Sequence, residues 1–468
     1  MTSTDLCFTP AARLAEAVRE KKLSPVEIAQ AHLERIEAVN PKINAYCTLL
    51  PELTLAEARA AEQAVMDGRP LAPLHGVPYS VKDLVYTKGI RTMRGSAIFE
   101  NYVPDEDAVA SERMRTAGGV FLGKTTTPEL GWKGVTDSPV TGITRNPWNL
   151  ERTPGGSSGG ASAQVAAGLG PLAIGTDGGG SIRIPSAFAG IFGIKPTSGR
   201  VPVYPGSVFN TLSHVGPMTR TVEDAALMLS VLAGPDPRDR FCLDAPPADY
   251  VQELNRGIRG LRVGWSQDLG YARVEPEVAR LAAQAAQAFE QLGCHVEEAR
   301  VGFEDPTETF LVHWQSACAG SLGPLLPQWE CRMDPGLVQA TRNGLQYSAA
   351  ELVAAQMRRN AHYDQVRRMF ETYDLLLTPT LAVLPFEVGL IRPPDRGDDD
   401  LTWATWTPFT YPFNLAPNPA ATVPAGFSED GLPVGLQIVG RRLEDLTVLR
   451  AAAAFEQVRP WTQHRPEL

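Results

Sequence analysis

The chain has 468 residues, 21% of them charged and 43% hydrophobic, with a formal net charge of -10. This composition excludes global disorder and leaves enough chain to bury a sizeable core. The acidic balance gives no general attraction to nucleic acid or anionic membranes. No run of 18 apolar residues reads as a membrane span, and the first ten residues lack the basic-then-apolar order of a secretory leader.

The expectation is therefore a cytoplasmic protein. The six cysteines (Cys7, Cys47, Cys242, Cys294, Cys318 and Cys331) form no CxxC pair and no Cys/His cluster with zinc-ligand spacing. Reduced thiols and no metal are expected.

The N-terminal part reads as helical. Thr9-Pro10 places proline at a first helical position. Ser24-Pro25-Val26-Glu27 is a capping box whose helix is predicted to end near Val39, before Pro41. A third helix is predicted over 54–66, closed by Gly68.

From Val77 onward short apolar runs alternate with helical stretches. Strands are predicted at 79–81, 120–123, 171–175 and 191–194, with helices at 108–117 and 158–167 between them. Residues 235–259, rich in Pro, Asp and Arg, read as a loop. A strand at 261–265, a helix at 276–292 and a strand at 295–299 follow. The chain then gives a helix over 349–373, a strand at Leu375–Leu377, a loop over 392–400, a strand at 434–439 and a helix over 444–458. Arg358, Arg359, Arg367 and Arg368 read as a solvated helix face. The alternation argues for an α/β layered fold around a largely buried sheet, one folded unit with no internal repeat.

The densest feature is Gly155-Gly156-Ser157-Ser158-Gly159-Gly160, followed by Gly175-Thr176-Asp177-Gly178-Gly179-Gly180-Ser181-Ile182-Arg183. A flexible linker is one reading, but apolar patterned segments flank both runs. An anion nest is a second, yet neither run matches GxxxxGK[ST] or a GxGxxG after a strand. Nucleophilic catalysis is the third. A serine hydroxyl needs a neighbour to accept its proton. There is no GxSxG elbow, and the seven histidines are scattered, with His75 and His214 alone near the motif region. Lysine is the other base available. Its pKa of about 10.4 falls by several units on burial among apolar groups, after which it can take a proton from serine. Lys82 ends the apolar run after Gly76-Val77-Pro78, at a strand end beside the core; a lone lysine there is more often a surface residue, and it gains interest only with the serines.

These residues carry a family resemblance. Gly76–Asp83, Gly123-Lys124-Thr125, Arg145-Asn146-Pro147-Trp148, Thr153–Gly160, Gly175–Arg183, Lys195-Pro196-Thr197, Gly216-Pro217-Met218 and the tail 414–440 together resemble the amidase signature family. The likeness spans nearly the whole chain, dense over 120–200 and weak over about 235–410. Ser157 and Ser181 stand 24 positions apart (181 − 157 = 24), the interval the family shows.

The resemblance implies an amidase signature fold, a central mixed twisted β-sheet covered by helices on both faces. It divides the single domain into N-terminal helices (1–70), a signature core (about 71–230), a variable substrate-pocket region (about 235–410) and a C-terminal closure (411–468). It implies that Ser181 is the nucleophile, that Ser157, after a cis peptide from Gly156, relays the proton, and that Lys82 is the base. Ser158 supports the network, and Asp177 and Arg183 form a structural ion pair. The N–H groups of Gly178, Gly179, Gly180 and Ser181 form the oxyanion hole. No cofactor is implied. The chain departs from the family at Thr126, where asparagine is usual, which bears on substrate positioning.

The acyl pocket is expected in the variable region, with Trp403, Trp406, Phe409 and Tyr411 as candidate lining, joined by Trp132, Phe209 and Trp329. Such a lining favours apolar or aryl amides, anilides, carbamates or esters, cleaved by a monomer or homodimer. Two alternatives stand beside this. One is the glutaminase A subunit of a tRNA-dependent amidotransferase, for which 403–413 is too apolar to grip glutamine. The other is a non-catalytic binding protein on the same scaffold, which intact Lys82, Ser157 and Ser181 argue against.

Overall fold

The computed structural model describes residues 2–396 and 402–468. Thirteen strands are described: β1 (Tyr46–Leu49), β2 (Pro78–Lys82), β3 (Val120–Thr125), β4 (Asp137–Ser138), β5 (Gly142–Ile143), β6 (Leu172–Asp177), β7 (Phe192–Lys195), β8 (His214–Thr219), β9 (Arg262–Trp265), β10 (His295–Glu298), β11 (Leu375–Pro379), β12 (Ala420–Phe427) and β13 (Pro433–Gly440). Eleven of them form one sheet in the order β1-β3-β2-β6-β8-β7-β12-β13-β11-β9-β10, and β4 and β5 pair separately. The sheet is mixed. β3, β2 and β6 run parallel, as do β11, β9 and β10, while every other adjacent pair is antiparallel.

Both faces of the sheet are covered, as its sequence period requires. In β11, Leu375 and Leu377 enter one apolar cluster and Leu376 enters the other. In β13, Ile438 and Val439 divide the same way. Side chains alternate across a strand, so a continuous apolar run needs cover on both sides. Helices Ala11–Arg19, Pro276–Gln291 and Asp445–Val458 supply one cover; Arg183–Ala189, Thr307–Leu322 and Ala349–Thr372 supply the other.

The predicted elements are present, with corrections. The helix begun by the Ser24 capping box does not stop before Pro41; it spans Pro25–Ile43 and ends at Asn44, whose φ is 51°. Pro41 falls in the last turn, where it removes a single intrahelical bond. Arg359 is not on a solvated face. Its guanidinium is buried and donates to Leu415 O (2.8 Å) and Thr211 Oγ1 (2.8 Å), whereas Arg367 and Arg368 pair with Asp364 in solvent. Of the expected loop 392–400, residues 397–400 lie outside the described residues. β8 and β12 escaped prediction because each contains a proline. Pairing of β8 to β7 covers Thr219 and Met218 and stops before Pro217, and β12 shifts register between Pro424 and Gly426. Among the described residues no helix is long and apolar enough to cross a membrane.

Candidate active site

Lys82 is the last residue of β2, and Asp177 is the last of β6, its parallel neighbour. The site therefore forms where the carboxyl ends of two adjacent parallel strands open, the usual place for a crevice in an α/β sheet. The Ser157 loop enters the helix Gly159–Ala166, and the Ser181 loop enters Arg183–Ala189. Lys82 Nζ lies 2.7 Å from Ser157 Oγ and 2.9 Å from Thr176 Oγ1. The Gly156-Ser157 peptide is cis. Ser158 ties the loops together: its N–H donates to Ser181 O (3.3 Å), its Oγ donates to Thr176 O (3.2 Å) and accepts from Thr176 N–H (3.3 Å).

Lys82 is fully buried, and desolvation drives its pKa well below 10.5; the charge of Asp177 opposes this only in part. Asp177 behaves oppositely. Burial alone raises its pKa, but the charge and hydrogen bonds of Arg183, the Lys195 charge and Asn414 outweigh it and hold the carboxyl well below the usual range. Arg183 Nε and Nη2 each lie 3.0 Å from an Asp177 oxygen, both side chains being fully buried. The remaining guanidinium donors reach Gln437 Oε1 (2.7 Å), Asn414 Oδ1 (2.7 Å) and Thr410 O (2.9 Å).

That carboxylate also organises the glycine loop. Asp177 Oδ1 accepts the Gly180 N–H (2.8 Å), and Oδ2 accepts that of Ile182 (3.2 Å). The expectation of four open amides is thus corrected at Gly180, whose N–H is already engaged. Gly178, Gly179 and Ser181 N–H groups meet no protein acceptor among the described residues. Gly180 has φ of 132°, and a Cβ there would collide with Thr410, which donates from Oγ1 to Gly179 O (2.7 Å).

Ser157, Thr176, Gly178 and Ser181 line a cavity of about 390 Å³. Leu84, Tyr86, Arg94, Leu130–Trp132, Phe209, Trp314, Cys318 and Leu322 also line it, and Trp314 Nε1 donates to Trp132 O (3.1 Å). A sequence model of the family described as Amidase matches residues 27–449. The chain belongs to the amidase family. It is a hydrolase acting on amide C–N bonds. An acylamidase of Rhodococcus erythropolis is 41% identical over all of this chain and 98% of its own length. The A subunit of the glutamyl-tRNA(Gln) amidotransferase of Moorella thermoacetica is 37% identical, covering 99% of each chain. Among solved structures, a bacterial aryl acylamidase of the amidase signature family superposes with a TM-score of 0.91 at 33% identity, covering 97% of each chain. A 6-aminohexanoate cyclic dimer hydrolase also gives 0.91 at 33% identity, covering 98% of this chain and 99% of its own.

Within this amidase, the wall differs from the sequence expectation. Trp132 and Phe209 line the cavity; Trp403, Trp406, Phe409, Tyr411 and Trp329 do not. Trp403 lies behind the wall, edge-on to Trp314 at 5.5 Å. Trp406 stacks on Phe188 at 5.6 Å, Phe409 is fully buried, and Tyr411 stacks on Phe310 while its hydroxyl meets Thr307. Their length and apolarity placed them in the core that backs the pocket. Thr126 is corrected too. It is buried away from the cavity, with its hydroxyl 2.6 Å from Thr144 Oγ1 and bonded to Asn44 O (3.2 Å).

Three groups escaped sequence reasoning. Thr176, beside Lys82, follows once β2 and β6 are paired. Trp314, Cys318 and Leu322 recur at i, i+4, i+8, a helical stripe that reads as ordinary core. The loop Pro202–Val208, which leads into the expected Phe209, lines the cavity without any periodic signal.

Proposed function

We propose that the chain hydrolyses apolar or aryl amides through a Lys82–Ser157–Ser181 relay and a covalent acyl-enzyme on Ser181. The observation that carries this reading is the 2.7 Å contact between Ser157 and Lys82, whose pKa burial pushes well down, beneath the cavity that Ser157 and Ser181 line. Neutral Lys82 takes the Ser157 proton while Ser157 takes that of Ser181, whose Oγ bonds to the carbonyl carbon. The displaced π pair becomes an oxyanion, for which the open amides of Gly178, Gly179 and Ser181 are the donors. Collapse breaks the C–N bond, and the relay returns its proton to the leaving nitrogen. Water then attacks the ester by the same relay, which releases the acid and restores Ser181. The apolar wall favours aryl or alkyl groups, and carbamates and esters meet the same tetrahedral chemistry.

The relatedness to amidotransferase A subunits raises glutamine as a second substrate. Free glutamine presents an ammonium as well as a carboxylate, and Asp177, the one carboxylate among the described residues lining the cavity, is saturated by Arg183 and the loop amides. That argues for the stand-alone reading. Treatment with a fluorophosphonate and mass spectrometry is the test: a single adduct on Ser181, absent in Ser181→Ala, is expected. A folded protein with no adduct, or with ammonia released from glutamine faster than from anilides, overturns it.

A further inference from the structure

Arg94 is the uncommitted charge of this cavity. Its guanidinium lies 4.7 Å from the Tyr86 ring centroid, 4.3 Å from Phe99 and 5.3 Å from Tyr102, all half-buried rings. Nη2 donates to the Tyr86 hydroxyl, and Nε is buried without an acceptor among the described residues. No carboxylate lies within ion-pair distance of it among those residues. The other charged groups at the cavity are accounted for. Asp177 is paired with Arg183, and Lys82 already donates to Ser157 and Thr176, with burial pushing its pKa well down. The residue is also held deliberately in place. Its φ is 56°, a region non-glycine residues rarely adopt, fixed by its N–H on Asp83 O (3.1 Å) and by the Leu130 N–H on its own carbonyl (2.7 Å). Aromatic faces offset part of the cost of desolvating a guanidinium, but of its in-plane donors only one is engaged, by the Tyr86 hydroxyl.

Position decides which half of the substrate Arg94 meets. The Leu130 amide it anchors precedes Gly131, which abuts Ser157; a Cβ on Gly131 would sit 3.1 Å from Ser157 Oγ. Gly178, one of the glycines with an open amide, packs instead against Trp314, which a Cβ there would meet at 3.0 Å. Ser157 hands the proton to the leaving nitrogen. Arg94 therefore stands on the amine side.

We propose that Arg94 is a specificity-determining residue that selects amides whose leaving amine carries an anionic group, a carboxylate on an aryl or short alkyl amine. This rests on the Ser157–Ser181 reading above. An anion there meets the guanidinium N–H groups that the Tyr86 hydroxyl leaves free, a charge-assisted contact stronger than a neutral one. The product of such an amide is an amino acid or aminoarenecarboxylate together with a simple acid.

The experiment compares kcat/KM for acetanilides bearing para-carboxylate or para-cyano on the ring with that for succinanilate, whose carboxylate lies on the acyl half. The para-cyano ring is neutral and also withdraws electrons, so it controls for leaving-group ability. The wild-type chain is expected to prefer the para-carboxylate over para-cyano by about tenfold or more, the scale of one charged hydrogen bond. Arg94→Gln should erase that ratio, Arg94→Lys should restore part of it, and the change should sit mainly in KM. A wild-type chain without the preference, a preference carried by succinanilate, or an Arg94→Gln variant that slows all probes equally overturns the assignment. Turnover of para-cyano acetanilide alone keeps the hydrolase reading intact in each of those cases. Turnover of none of the probes defeats the hydrolase reading itself.

Discussion

The cavity floor and the cavity wall are built on different rules. On the floor, Lys82, Ser157, Thr176, Asp177 and Ser181 are fixed by hydrogen bonds between polar atoms, each with one geometry that serves. On the wall, Phe209, Trp314, Cys318 and Leu322 are placed by apolar packing, as the 3.9 Å stack of Phe209 on Trp314 shows. A polar floor leaves unsatisfied buried groups when a member is lost, which is costly. An apolar wall tolerates exchanges of similar volume. Loss at the floor should therefore strike rate or folding, and loss at the wall should strike substrate affinity.

The largest effect is expected at the relay. Ser181→Ala and Lys82→Ala should each lower kcat by about 10⁴-fold or more, and the double variant should be no worse than either single one, because residues acting as a unit are not additive. Ser157→Ala should lower kcat strongly while the chain stays folded by circular dichroism. Burial depresses the Lys82 pKa, so its base form is lost as pH falls through that depressed value and is fully present above it. The kcat/KM profile should accordingly rise with pH, reach a plateau well below 10.5 and stay flat. Full activity in Lys82→Ala, or an inflexion near 10.5, breaks the relay.

Next comes the ion pair beneath the nucleophile. Arg183→Met leaves the Asp177 carboxylate buried with its main partner gone, and it also strands Gln437 and Asn414. Removing one member of a buried pair costs about 3–5 kcal/mol. Denaturant unfolding should show that loss together with reduced turnover, since the same carboxylate holds Gly180 and Ile182. A stable variant with a normal kcat would place Arg183 outside the floor's machinery.

The same contrast explains what was legible. Glycine runs, the 24-residue serine interval and a lysine at a strand end are local or countable signals, and β2, β3, β6 and β7 were visible as short apolar runs. The wall has no such signal. Trp314 lines the cavity and its ring neighbour Trp403 does not, and a helical stripe cannot show which side a neighbour leaves open. The strands β8 and β12 gave no such run because each carries a proline inside it, Pro217 and Pro424.

On the wall, Phe209→Ala should raise KM for an anilide about tenfold, with a smaller change in kcat. The ring is half-buried, so the loss is less than that of a full aromatic contact of about 1.5–3 kcal/mol. Steady-state kinetics on an aryl and a short alkyl amide would sharpen the comparison, since the aryl substrate should suffer more. A fall confined to kcat would place Phe209 on the floor's side of the divide.

Thr126→Val is expected to do least, and it tests the boundary itself. The hydroxyl sits behind the floor, bonded to Thr144 and to the carbonyls of Asn44 and Ala45, with no face on the cavity. Valine keeps the shape and removes the polar atom. Thr144 still donates to Asn44 O (2.9 Å), so no buried carbonyl there is left bare by the change. Stability should fall by about 1 kcal/mol, read by thermal unfolding, while KM for an anilide stays within about twofold. A shift of KM well beyond that, with stability unchanged, would bring Thr126 back to the substrate and show that the cavity extends past Ser157 toward β1.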